Sequence, residues 1–135
     1  MSLTISDVRT ALADVLGQIP DWRVTPYVGT MVNPPVLKVS RPAFDPRMVF
    51  GQSKAAHKFV VTAYVTIGAA EQGEQLLDTL CELTGATSLI AVVQNGALWS
   101  VDVDYCAVTN VGEVTAAEIA GAEFLVCPFE IEVVW

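Results

Sequence analysis

HKFVVTAYVTIG, residues 57–68, alternates from one end to the other. In an extended chain Phe59, Val61, Ala63, Val65 and Ile67 point one way, and Lys58, Val60, Thr62, Tyr64 and Thr66 point the other. A strand with one fully apolar face needs a layer to cover that face. The next segment supplies one. Glu71–Leu83 has helical spacing, with Leu76, Leu77, Leu80 and Leu83 as an inward stripe and Glu71, Glu74, Asp78 and Glu82 turned to water. Gly85 stops it.

Further downstream, Thr87 or Ser88 caps a short third helix that runs to about Val93 and ends at Gln94-Asn95-Gly96. Leu98–Val111 reads as a strand, with Trp99, Val101, Val103 and Tyr105 on one face and Ser100, Asp102 and Asp104 on the other. Residues 112–121 read as a turn region of polar and small side chains. The last strand, Ala122–Trp135, puts Leu125, Cys127, Phe129, Ile131, Val133 and Trp135 on one side and Glu130 and Glu132 on the other. Pro128 within it predicts an edge or a bulge.

Upstream, Thr4 and Asp7 form a helix start. Ile5, Val8, Leu12, Leu16 and Ile19 then share a face until Gly17 and Pro20 end the helix. Trp22–Val28 is a first strand weakened by Pro26, and Val36–Ser40 a second. Pro34 and Pro35 in "VNPPVLKV" lack N–H donors and hold φ fixed, so they suit the approach to a strand rather than its middle. Residues 42–56, "PAFDPRMVFGQSKAA", match neither helix nor strand, and a connection of this length is often functional. The expected fold is one α+β domain over 1–135: a mostly antiparallel sheet, with the N-terminal helix and two further helices on one face.

Composition narrows the function. Hydrophobic residues make up 53% of the 135 and charged residues 16%, against about 25% charged in typical domains. No apolar run approaches the roughly 18 residues of a membrane span. The amphipathic start lacks a signal peptide's basic region. The apolar excess is therefore expected in a large core and in subunit interfaces. Cys81, Cys106 and Cys127 have no metal-ligand spacing and read as buried, reduced thiols.

Charge is divided along the chain. All seven basic residues lie within the first 58 positions, which sum to +3, and residues 59–135 hold eleven acids and no Lys or Arg. Either the halves neutralise each other inside one fold, or a positive surface of one subunit meets a negative surface of the next. Specific nucleic-acid binding is not expected of such an acidic chain without basic runs.

Convergent catalytic groups are few. His57 is the only histidine and reads as a structural residue at a strand start. Asp102 with Asp104, and Glu130 with Glu132, could hold a divalent ion or act as an acid–base pair. The same spacing arises on any solvent-facing strand. There is no phosphate-binding glycine loop. No enzyme activity, catalytic residue, metal or cofactor is expected.

The order of "ALADVLGQIPDWRVTPYV", "VNPPVLKVSRPAF", "FVVTAYVTIGAAEQGEQLLDTL" and the closing "GAEFLVCPFEIEVVW" resembles the small tail-terminator (tail-completion, neck) proteins of long-tailed bacteriophages, particularly those of actinobacterial hosts. The resemblance spans nearly the whole chain. It implies a ring, six copies in the family, that caps the tail tube, stops its growth and offers the surface where the head attaches. The implied partners are further copies of the chain, the tail tube protein and a head-completion or connector protein. DNA passes through without specific binding, and no membrane is involved. The implied location is the virion tail or neck, after assembly in the host cytoplasm. The family carries no catalytic motif to transfer.

On this reading Arg41, Arg47, Lys54 and Lys58, with Phe44 and Phe50, meet Glu71 and Glu74 of a neighbour, and Glu113, Glu118 or Glu123 are further acidic partners. Asp102, Asp104, Glu130 and Glu132 are the candidates to line the channel. Two rival readings stay open: another neck ring such as a head-closure protein, or a small ligand-binding or enzymatic domain using His57, Asp102 and Asp104.

Overall fold

The computed structural model describes residues 4–19, 22–25, 35–40, 49–50, 54–66, 70–83, 85, 88–95, 99, 101, 103, 105–119 and 121–135. Its elements in chain order are α1 (Ile5–Leu16), β1 (Arg23–Thr25), β2 (Val36–Val39), β3 (Val49–Phe50) and β4 (Lys54–Thr66), then α2 (Ala70–Leu80), α3 (Leu89–Gln94), β5 (Tyr105–Val111), β6 (Thr115–Ile119) and β7 (Ala122–Val134). The fold is α+β. The sheet order is β1-β2-β4-β7-β5, with β3 added to β4 and β6 added to β7. β1 runs parallel to β2, and every other pairing is antiparallel.

The alternating stretch is the axis of the molecule. β4 pairs with β7 over eleven residues, from Ala56 opposite Val134 to Thr66 opposite Phe124. Phe59, Val61, Ala63 and Val65 are buried on one face, together with Cys127, Phe129, Ile131 and Val133. The helices lie on that face. Val8, Leu12, Val15 and Leu16 of α1, Leu77 and Leu80 of α2, and Leu89 and Val93 of α3 join these strand residues in one core. Each such side chain contributes roughly 1.5–3 kcal/mol by leaving water.

Local chemistry sets the helix ends. The Thr4 hydroxyl accepts from the Asp7 N–H, and the Asp7 carboxylate accepts from the Thr4 N–H, giving a reciprocal capping box. Ser88 caps α3 by accepting from the Ala91 N–H, and its hydroxyl donates to the Glu82 carbonyl. Arg9 is buried and donates to the Val39 carbonyl at 2.9 Å, tying α1 to β2. Pro35 stands just before β2, and its carbonyl accepts from the Arg23 N–H.

Five expectations change. Ile5 is 37% exposed at the first position of α1, and the buried stripe starts at Val8. Leu83 is 76% exposed, because α2 ends at Leu80 and helical spacing no longer governs the residues beyond. Trp99, Val101 and Val103 precede the strand rather than forming its first half. β5 begins at Tyr105, which faces away from the helices and is 51% exposed. Trp99 is instead held by its indole N–H, which donates to the Val93 carbonyl at the end of α3. Residues 115–119, expected within a turn, form β6 and pair with β7 from Thr115 opposite Val126 to Ile119 opposite Ala122. Gly121 closes this hairpin at φ +82, a region that disfavours side chains. Within the 42–56 connection, Val49–Phe50 and Lys54–Ala55 pair as a short hairpin.

Pro128 lies in β7, which is flanked on both sides, and the bulge falls in the neighbouring strand. β5 and β6 form one interrupted line along β7 with two extra residues. Thr109 is unmatched between Val108 and Asn110. A second extra residue falls between Val111, opposite Phe129, and Thr115, opposite Val126. The Pro128 carbonyl accepts from the Gly112 N–H at 2.8 Å. In an antiparallel ladder a residue's N–H and C=O point to the same neighbour. The missing Pro128 N–H therefore faces the break at Gly112–Val114, and the ladder to β4 loses nothing.

Candidate assembly surface

The sheet face away from the helices carries the side chains opposite to the core set. Lys58, Val60, Thr62, Tyr64 and Thr66 of β4 stand beside Glu132, Glu130, Pro128, Val126 and Phe124 of β7 in register. Glu130 and Glu132 are half-buried, and Phe129 and Ile131 between and before them are fully buried on the other side. The two carboxylates thus share one face, as expected of the last strand. On β5, Asn110 is opposite Glu130 and Ala107 opposite Glu132. Aromatic groups close the other end. Tyr64 meets Phe124 edge to face at 6.4 Å, and the Lys38 ammonium lies 5.4 Å from the centre of the Tyr64 ring.

Lys58, expected at a neighbour's acids, lies directly opposite Glu132 of its own sheet. Cross-strand partners stand roughly 5 Å apart at Cβ, so Lys58 has an acid of its own subunit as its cross-strand neighbour. Glu74 is exposed on α2. Phe50 and Lys54 lie on the β3–β4 hairpin, and Glu71 lies in the first turn of α2. Arg41, Phe44, Arg47, Asp102 and Asp104 lie outside the described residues, as do Pro26 and Pro34.

The β6–β7 hairpin carries a feature that needed the register to be seen. Glu118 is directly opposite Glu123, and both are exposed. Like charges directly across a strand pair destabilise it. The sequence signal was present in TAAEIAGAEF, residues 115–124, where two short runs flank Ala120-Gly121. Its small residues read more readily as a turn. β5 and β6 also form the outer margin of the sheet among the described residues, with exposed Tyr105 at one end and exposed Val114 near the break.

His57 is buried on the helix side, stacked on Trp135 at 3.7 Å between ring centres. It therefore lies on the opposite face of the sheet from Glu130 and Glu132. Among the described residues no group of His, Cys, Asp and Glu could hold a metal ion, and no helix is long and apolar enough to cross a membrane.

The thiols differ from one another. Cys127 is buried, Cys106 half-buried and Cys81 exposed, so the expectation of three buried thiols is corrected for Cys81. It follows the last turn of α2, which ends at Leu80. Cys106 donates to the Val93 carbonyl at 3.2 Å, and Cys127 to the Gly112 carbonyl at 3.5 Å. Burial raises the pKa of all three, and that of Cys127 is pushed up to about 11 by burial and by the neighbouring Cys81.

No protein-family model matches the chain, and no curated protein is significantly similar to it.

Proposed function

We propose that the chain is a ring-forming structural protein of a phage neck, a tail terminator that caps the tail tube and presents the head-attachment surface. The observation that carries this reading is the opposed Glu118 and Glu123 on an exposed hairpin, in a half of the chain with no Lys or Arg. An isolated subunit gains nothing from that arrangement. A neighbour offering Arg41, Arg47 or Lys54 from the basic half would relieve it. Contact between two different patches is heterologous, and such contacts close into rings when the rotation permits. The half-buried Glu130 and Glu132 share one sheet face and supply an acidic surface that would let DNA slide. DNA carries one charge per about 1.7 Å of axis, so a basic wall would hold it.

Electron micrographs of particles assembled without this chain test the proposal. Overlong tail tubes are expected. Tails of normal length that lack heads would make it a head-closure ring instead, and normal particles would overturn both. A second arm changes Glu130 and Glu132 to Lys. Particles that form but eject DNA poorly, with relief by salt, are expected if this face lines the bore.

A further inference from the structure

We propose that Asn95 is a modification site: the main-chain nitrogen of Gly96 displaces its side-chain amide, leaving aspartate and isoaspartate at the C-terminal end of α3. Asn95 is the first residue past α3. It is exposed, and its φ of −85 and ψ of 98 have left the helix. Its own N–H still donates to the Val92 carbonyl at 3.4 Å, so the residue is anchored on its helix side, while no strand ladder fixes its ψ. The next residue is glycine, whose nitrogen no side chain crowds and whose backbone is the most permissive of all. Asparagine is among the thermolabile residues, and this ring closure is one reason. The other two asparagines of the chain lack these conditions. Asn33 precedes Pro34, whose nitrogen carries no hydrogen to give up. Asn110 sits in β5 opposite Glu130, where the ladder holds the backbone extended and the attacking nitrogen would belong to β-branched Val111.

The chemistry balances with water alone. Hydroxide removes the Gly96 N–H, and the nitrogen attacks the Asn95 Cγ. A C–N bond forms, the bond from Cγ to the side-chain nitrogen breaks, and ammonia leaves with a proton. The product is a five-membered succinimide. Water then adds to one of its two carbonyls. Opening on the Cγ side gives aspartate, and opening on the main-chain side gives isoaspartate, with the chain rerouted through Cγ. One water enters and one ammonia leaves, and nothing is oxidised or reduced. The place of the change gives it a consequence. The Val93 carbonyl, two residues before Asn95, accepts from the Trp99 indole N–H at 2.9 Å and from the Cys106 thiol at 3.2 Å. Either product adds a negative charge at the negative end of α3. Isoaspartate also adds a methylene to the main chain between Val93 and Trp99, within the loop that this hydrogen bond closes. The reaction needs neither a ring nor a partner, so its test stands apart from ring formation.

The full chain is incubated at pH 6.5 and at pH 8.5, folded and in urea, then digested and analysed by mass spectrometry. In the folded chain the peptide holding Asn95 is expected to gain the mass of an amide-to-acid change, faster at pH 8.5. Its rate should be comparable with that in urea, and Asn110 should keep its amide when folded. Isoaspartyl methyltransferase should label the aged protein. Gly96→Ala should slow the conversion by crowding the attacking nitrogen, and Asn95→Gln should abolish it, because the ring it would need is larger. Asn95→Asp supplies the charge without the isomer and should lower Tm by about 1–4 °C, and the aged wild-type chain should melt lower still. An amide retained at Asn95 in the folded chain but lost in urea would overturn the proposal. So would conversion at Asn33 or Asn110 first, conversion at Asn95 without isoaspartate, or a rate that Gly96→Ala leaves unchanged.

Discussion

Cys127 shows how a single side chain can be a packing element and a titrating group at once. Its side chain is buried in the core, and its pKa is pushed from a thiol's 9.0 to about 11, by burial first and by Cys81 second. Below pH 9 the thiol keeps its proton in the folded and the unfolded chain, and the shift has no effect. Between about 9 and about 11 the unfolded chain releases the proton while the folded chain holds it, so stability falls as pH rises through that window. Cys81, which also faces Asp78 and Glu82, and Cys106 shift in the same direction and add to the slope. Urea midpoints under reducing conditions should therefore drop between pH 8.5 and pH 10.5. Cys127→Ala should start lower, through lost packing, and lose less over the same interval. Parallel curves for the two proteins would show that Cys127 does not carry the effect.

Among the elements, β7 is where a residue that ought to break a strand is built in. A Cβ at Gly112 would come within 2.5 Å of Pro128 Cγ, so the ring of Pro128 occupies the space that Gly112 leaves open. Gly112→Ala should cost about 1–3 kcal/mol by overpacking. Pro128→Ala should remove most of that cost when combined with it, and a double-mutant cycle measured by denaturation reads the coupling directly. Additive effects would mean that the two residues do not compete for one space. The same pair shows what was legible in the sequence. Alternation in 57–68 and 122–135 announced both central strands and their buried faces, because a two-residue period has few competing explanations. Pro128 announced a disturbance, but whether it fell in its own strand or the next depended on which way its absent N–H pointed. Small and polar residues hid β6, and the turn after Leu80 hid the exposure of Leu83. The Glu118–Glu123 opposition could not be read without the register, because it joins residues whose spacing carries no pattern of its own.

For the whole molecule, the basic early segment and the acidic later one make stability and assembly pull against each other at one hairpin. Glu118 and Glu123 repel across β6 and β7 in the isolated subunit, and a basic neighbour would turn that repulsion into attraction. The two situations predict opposite signs for one change. Glu118→Gln with Glu123→Gln should leave the monomer as stable or slightly more so, by up to about 1 kcal/mol, since like-charge opposition across strands is of that size. The same change should weaken ring formation, and added salt should matter less to the variant because there is less charge to screen. Arg47→Glu with Lys54→Glu, made on the other side of the proposed contact, should weaken the ring without the gain in monomer stability. Thermal melts of the monomer and molar mass by light scattering across a salt series separate the two terms. A variant that melts higher and assembles as well as the parent would show that the hairpin faces solvent in the assembly. The basic half would then have to find its acidic partners elsewhere, with Glu74, Asp78, Glu82 and Glu113 among the exposed acids still available to it.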